Sequence, residues 1–335
     1  MSALSTSISE FTQHAAKNSR RLLNFITILV TAIFVGTALP LLLISGAQHV
    51  ESINELYSLI GIQAPGLLVL LFPSAMVAVT LSCLTFEAIG LGYYRSTLFQ
   101  VIEGNNASVR NDVFYLFLRV TGLASVLAFI MTLGTSLHFL AMTSAGLDQN
   151  LIAGTNPITQ FVVLALSITF LNYWTHRAMH TKWFFEIHKV HHSAEHFGVL
   201  LPFRAHPLDH FVAKAYTAGI LAFFGIDPVV LIAWMALNAF YQSMVHSKLD
   251  WPGWMEYIVV TPALHRIHHS TNPRHYNKNL SILTIWDKLF GTYHAPDHVE
   301  GYGLDGEDKE NFNTGNYIAE IFLCFTRWID FRRRA

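Results

Sequence analysis

Histidine is concentrated in one half of this sequence, and its spacing is that of metal ligands. FEIHKVHH, at 185–192, places His188, His191 and His192 at i, i+3 and i+4, on one face of a single helical turn. Upstream, HRAMH sets His176 and His180 four residues apart, and downstream HRIHH repeats the i, i+3, i+4 pattern with His265, His268 and His269. A ninth, His246, ends the segment YQSMVH between the second and third clusters, with Gln242 one turn earlier on the same face. Adjacent protonated imidazoles repel, whereas neutral ones offer lone pairs that a divalent metal can collect. Nine such rings exceed what one tetrahedral or octahedral ion can use. Two metals are therefore expected, each with four or five imidazoles and room for an exogenous ligand. Zinc, copper, iron and nickel all suit imidazole, so spacing does not name the metal. Glu186, Glu195, Asp209 and Asp287 are candidates to orient the imidazole N–H groups. Cys83 and Cys324 lie far apart inside apolar stretches and read as neither a disulfide nor a metal site.

The elements that carry these residues are apolar. The chain is 52% hydrophobic and 13% charged with mean hydropathy +0.38, whereas a soluble domain is roughly 25% charged. Apolar segments occupy 22–46, 65–88, 120–142, 158–174 and 211–245, the last interrupted by GIDP at 225–228, where Gly225 and Pro228 predict the tip of a helical hairpin. The first follows a polar leader, shows no cleavage signal and reads as a retained helix. Lys17, Arg20 and Arg21 precede the first segment, Arg95 and Arg110 lie between the second and third, and Arg177, Lys182 and Lys189 follow the fourth; the loops 47–64 and 143–157 contain no Lys or Arg. That alternation predicts a cytoplasmic N-terminus and C-terminus, with every histidine cluster on the cytoplasmic side. Thr261 and Pro262 suit the N-cap and first position of a helix carrying the third cluster.

The fold expected is all-α: a multi-pass transmembrane helical bundle with a cytoplasmic histidine-rich helical cap. It divides into an N-terminal segment 1–21, a scaffold 22–157, a catalytic region 158–297 and a C-terminal segment 298–335. The tail NYIAEIFLCFTRWIDFRRR reads either as an interfacial helix or as a helix packed on the catalytic region. His138, deep in an apolar segment, reads as a helix-packing residue. The net charge of −1 gives no reason to expect a nucleic-acid partner.

In order and spacing, HRAMH, HKVHHSAE, RAHP, TPALHRIHHS and NKNLSILTIWDKLFGTY resemble the fatty acid hydroxylase and sterol desaturase superfamily of integral-membrane oxygenases, over about residues 160–297. The setting of His246 in YQSMVHSK is most similar to the alkylglycerol monooxygenase branch and related bacterial proteins. The resemblance implies two irons, dioxygen as co-substrate, and hydroxylation or desaturation of a lipid C–H bond. It also implies electrons from an external donor, a b-type cytochrome or a ferredoxin with an NAD(P)H reductase. The ligand role carries over to His176, His180, His188, His191, His192, His265, His268 and His269, and His246 also matches. His206 in RAHP, Gln242 and Asn277 are candidates for a further ligand or for contacts just outside the metal ligands, His210 a candidate gate, and Arg204 a candidate to hold a carboxylate or a lipid head group. Relatives often carry an acid where this chain has Thr169 and another at Asn277, so a contact outside the metal shell differs here. Two rival classes stand beside this reading. A histidine-rich metal transporter would place its ligands near mid-membrane on broken helices, whereas these clusters flank the apolar segments. A zinc-dependent lipid hydrolase would turn over without oxygen or reductant.

Overall fold

The structure, a computed structural model, describes residues 67–103, 106–121, 123, 144–146, 149–312 and 317–334. The expected apolar segment at 22–46, nearly all of that at 120–142, and His138 lie outside the described residues, as does the side chain of His210. The described residues are helical without strands; two isolated bridges, Val259–Leu283 and Ser270–Tyr302, pin the loops around the third histidine cluster.

In chain order the helices are α1 (Leu67–Leu91), α2 (Thr97–Glu103), α3 (Ala107–Val120), α4 (Pro157–Met179), α5 (Phe185–His192), α6 (Pro207–Phe224), α7 (Pro228–Val245), α8 (Pro262–His268), α9 (Thr284–Leu289), α10 (Gly306–Asn311) and α11 (Tyr317–Arg334). Among the described residues α4 alone is long and apolar enough to cross a membrane; Met76–Leu91 and Val229–Val245 are shorter apolar helices. Asn156 caps α4, its Oδ1 accepting from Thr159 N at 2.9 Å, and Pro157 takes the first position, where its missing N–H costs nothing. The expected hairpin is α6–α7. Gly225 ends α6 at φ 67°, and a Cβ there would meet Asn150 Oδ1 at 2.7 Å, so only glycine makes the turn freely. Asp227 then caps α7 through Val229 N at 2.7 Å, followed by Pro228.

Packing holds the histidine-bearing ends at one level. Leu164 and Ile168 of α4 pack with Ile220 of α6 and Val230 of α7. On its other side α7 buries Ala236, Phe240 and Met244 against Val79, Cys83 and Leu84 of α1. Glu87 of α1 is fully buried; its carboxylate accepts from Thr97 N at 2.6 Å and Lys248 N at 2.8 Å, fastening α1 to the chain just beyond His246. α11 packs against α5, with Phe322 and Ile329 left exposed.

Arg204, also fully buried, joins four parts of the chain. It donates to Val190 O and Ser193 Oγ, to Ser108 O and Oγ, and to Asp112 Oδ1 at 3.1 Å, with Glu320 of α11 at 3.7 Å. It therefore holds carboxylates from the scaffold and the tail. Lys189, counted in the sequence among the cations that follow the fourth apolar segment, is buried and paired with Glu186 and Asp308, each at 2.7 Å.

Candidate metal centre

The helix ends bring nine imidazoles into two adjacent groups. His176, His180, His188, His192 and His268 form the first and His191, His246, His265 and His269 the second; within each, one ring nitrogen per residue lies within 4.8 Å of all the others. Helix geometry explains the division. Residues four apart share a face, so α4 gives the pair His176 and His180 to the first group and α5 adds His188 and His192. α8 sends His265 and His269 to the second. The odd member of each triplet, His191 or His268, crosses to the opposite group. His246, the C-cap of α7, completes the second group. The groups touch where His192 stacks on His269, centroids 4.5 Å apart.

Protein acceptors fix which nitrogen faces inward in five of the nine rings. Nδ1 lies 2.6 Å from Leu280 O in His176, 3.1 Å from Arg204 O in His191, 2.7 Å from Gln242 O in His246 and 2.9 Å from Lys278 O in His268. A carbonyl can only accept, so each Nδ1 carries the hydrogen and each Nε2 a bare lone pair. His188 donates its Nδ1–H to Asp209 Oδ2 at 3.3 Å, the carboxylate–histidine arrangement common behind metal ligands.

The inward nitrogens are arranged for a cation. His176 and His188 bring Nε2 atoms to 3.0 Å, His246 and His265 to 2.8 Å, and His265 and His269 to 3.2 Å. In the first of these pairs both rings carry their hydrogen on Nδ1, so two lone pairs face each other and repel. Neighbouring ligands on an ion with bonds of about 2.1 Å at right angles stand ~3.0 Å apart. Nε2 of His180, His192 and His268 is buried with no protein partner, a cost of about 1–3 kcal/mol each if left unmet. Protonation would not relieve the crowding. Burial first, and charge on neighbouring rings second, hold His180, His191, His192, His265, His268 and His269 well below the ordinary imidazole pKa. Burial lowers His246 to about 4. Neutral, oriented imidazoles in sets of five and four fit two first-row metal ions.

The remaining candidates are placed differently. His206 caps α6, its Nδ1 accepting from Leu208 N at 3.1 Å while Nε2 donates to Ile321 O at 2.8 Å, so neither nitrogen is available to a metal. Gln242 reaches the site through its backbone carbonyl. Asn277 is exposed at φ 59° beside Lys278, whose carbonyl holds His268. Thr169 accepts from Trp286 Nε1 at 3.1 Å. Of the four carboxylates suggested by the sequence, only Asp209 meets a metal-group ring. Asp287 acts one step further out, accepting from Leu280 N, Ser281 N and Thr292 Oγ1 and so setting the carbonyl that holds His176. Sequence reasoning missed Leu280, Lys278 and Asn279; the last donates to Leu264 O and His294 O, both at 3.0 Å, and steadies α8.

A cavity of about 370 Å³ opens between α1, α4, α6 and α7 and ends on His176, His188, His191, His246 and His265. Its wall is largely apolar, including Met76, Val79, Met179, Phe203 and Met235, with Asn172, Asn238 and Gln242 among its polar members. On the opposite side Phe197, 3% exposed, covers the rings of His246, His265 and His269 and stacks on Tyr302.

Residues 161–292 match the family model described as fatty acid hydroxylase. Alkylglycerol monooxygenase of Homo sapiens is 32% identical over 142 residues, 42% of this chain and 32% of that protein. Ornithine lipid hydroxylase of Rhizobium tropici is 32% identical over 180 residues, 51% of this chain and 52% of that protein. Methylsterol monooxygenase 1-3 of Arabidopsis thaliana is 31% identical over 145 residues, 40% of this chain and 48% of that protein. The chain thus spans about a third to a half of these relatives. No solved structure matches. The superfamily resemblance carried by the histidine motifs is borne out by these matches.

Proposed function

We propose that this chain is an integral-membrane di-iron oxygenase that hydroxylates or desaturates a lipid. The observation that carries the reading is the convergence of two oriented histidine groups at the end of a mostly apolar cavity. The similar proteins named above, monooxygenases and a hydroxylase of lipids, support the reaction class. His176, His180, His188, His192 and His268 would hold one iron and His191, His246, His265 and His269 the other. Bound iron supplies activation of dioxygen toward a C–H bond, with electrons from an external b-type cytochrome or ferredoxin system.

The chain's own residues supply the rest. The apolar wall receives the lipid chain, and the three carboxamides orient a polar group of the substrate by hydrogen bonding. Phe197 and the surrounding packing exclude water from the second group. Leu280 O, Arg204 O, Gln242 O, Lys278 O and Asp209 hold the Nδ1 protons of His176, His191, His246, His268 and His188, keeping those five lone pairs aimed inward. In this reading the apolar segments form a multi-pass bundle, and the lipid enters laterally from the bilayer with both termini and the histidines on the cytoplasmic side. The clusters stand at helix ends, which suits chemistry at the membrane surface better than transport through its middle.

Comparing lipid extracts of cells expressing the wild type or His176→Ala, grown under heavy-isotope dioxygen, tests the reaction. The account expects a wild-type-specific lipid that has gained one labelled oxygen or lost two hydrogens. A lipid cleaved by water without isotope incorporation would make the protein a hydrolase.

A further inference from the structure

A third histidine cluster lies outside the two groups, formed by residues that the oxygenase reading does not use. His275, in the short turn Pro273–His275, is fully buried. His294 and Asp297 lie on the loop after α9, the first half-buried and the second exposed. One ligand atom from each lies within 4.8 Å of the other two. The two rings are 5.1 Å apart and steeply inclined, so they do not stack.

Two features separate this cluster from an ordinary polar contact. His294 Nδ1 stands 2.7 Å from Ala295 O, so it carries the hydrogen and Nε2 a lone pair, the same device that orients His176, His191, His246 and His268. His275 Nε2 lies 3.4 Å from Asp297 Oδ2. That is a long hydrogen bond, past the commonest range of about 2.7–3.2 Å, and leaves the pair room to move onto an ion. The distance matches the ~3.3 Å edge of a tetrahedron whose ligands sit about 2.0–2.1 Å from a central ion. The cluster is also held from behind. Ser270 Oγ meets His275 Nδ1 at 2.9 Å, and Asn279 Oδ1 accepts from His294 N at 2.8 Å.

We propose that His275, His294 and Asp297 form a separate structural site for a zinc-type divalent cation, with the fourth position open to water. Two imidazoles and one carboxylate are a common zinc donor set. The ion would clamp the 294–297 loop to Ser270 and Asn279, which flank and steady α8, and so brace the helix that presents His265, His268 and His269. Because the nine imidazoles take no part, the site stands whichever metal they hold.

The test is metal counting on the purified full chain with its affinity tag removed, dialysed against micromolar zinc, for wild type, His294→Ala and Asp297→Asn. These two positions are not buried, so both variants should fold. Wild type is expected to carry about three divalent metals per chain, zinc and iron together, and each variant about two, with zinc raising the melting temperature of wild type alone. A chelator titration should show one class of site weakened at least tenfold in both variants. Equal metal counts in all three proteins, or a wild type with about two metals, would overturn the proposal.

Discussion

Replacing His246 by alanine separates a metal ligand from a helix cap. The ring is 1% exposed, its Nδ1–H bonds Gln242 O at 2.7 Å, and its Nε2 lies 2.8 Å from that of His265. As a ligand it is one of four in its group, so the variant leaves three imidazoles there and five in the other. Losing a residue that merely orients a ligand weakens metal binding about 10–100-fold. Losing the ligand itself should cost at least the upper end, roughly 100-fold or ~2.8 kcal/mol. Purified His246→Ala should therefore hold about one iron per chain in place of two, with lipid-dependent oxygen consumption down at least ~100-fold. Had His246 only capped α7, the effect would be ~1 kcal/mol of stability or less, with iron and turnover untouched. Full iron and wild-type turnover in this variant would refute the second group as drawn. His206 could not take over, because both its nitrogens are engaged.

Asp209→Asn should weaken metal retention in the five-histidine group about 10–100-fold while sparing the other, read as one of two release phases in a chelator titration. Arg204→Met leaves Asp112 and Glu320 buried without their cation and should destabilise the fold by about 3–5 kcal/mol, measured by thermal unfolding in detergent. The metal-free protein should lose stability on acidification. His246 is lowered to about 4 in the fold against about 6.5 unfolded, so below pH ~6.5 the unfolded chain binds more protons. Its contribution is complete above that value and declines as pH falls toward about 4, with the other lowered histidines acting in the same direction. A melting temperature that stayed level or rose across that interval would contradict the neutral, buried imidazoles.

The parts of the site legible in the sequence are those set by local geometry. Spacing of three or four residues fixes which rings share a helix face, and capping residues such as Asn156, Asp227 and Thr261, each followed by proline, mark where helices begin. The same spacing puts all three rings of a triplet on one face, so the crossing of His191 and His268 to the opposite group depends on how α5 and α8 face each other and not on the spacing. What lay beyond reach is tertiary and made of backbone. The acceptor for His176 is a carbonyl 104 residues away, and a carbonyl has no side-chain identity to read. Arg204 could be suspected of holding a carboxylate, but not that its partners are Asp112 and Glu320 from opposite ends of the chain. His206 looked like a ligand because RAHP sits beside the clusters, yet a residue just before a proline that opens a helix is also where an N-cap belongs.

The central claim is that nine imidazoles hold two metal ions for oxygen chemistry. It is tested most directly by measuring the iron in those two sites, per chain, after expression in iron-replete cells, alongside oxygen-dependent turnover. The account predicts about two iron atoms per chain and activity that vanishes with their removal and returns with ferrous iron. Tightly held zinc without iron, with turnover that needs neither oxygen nor reductant, would contradict it.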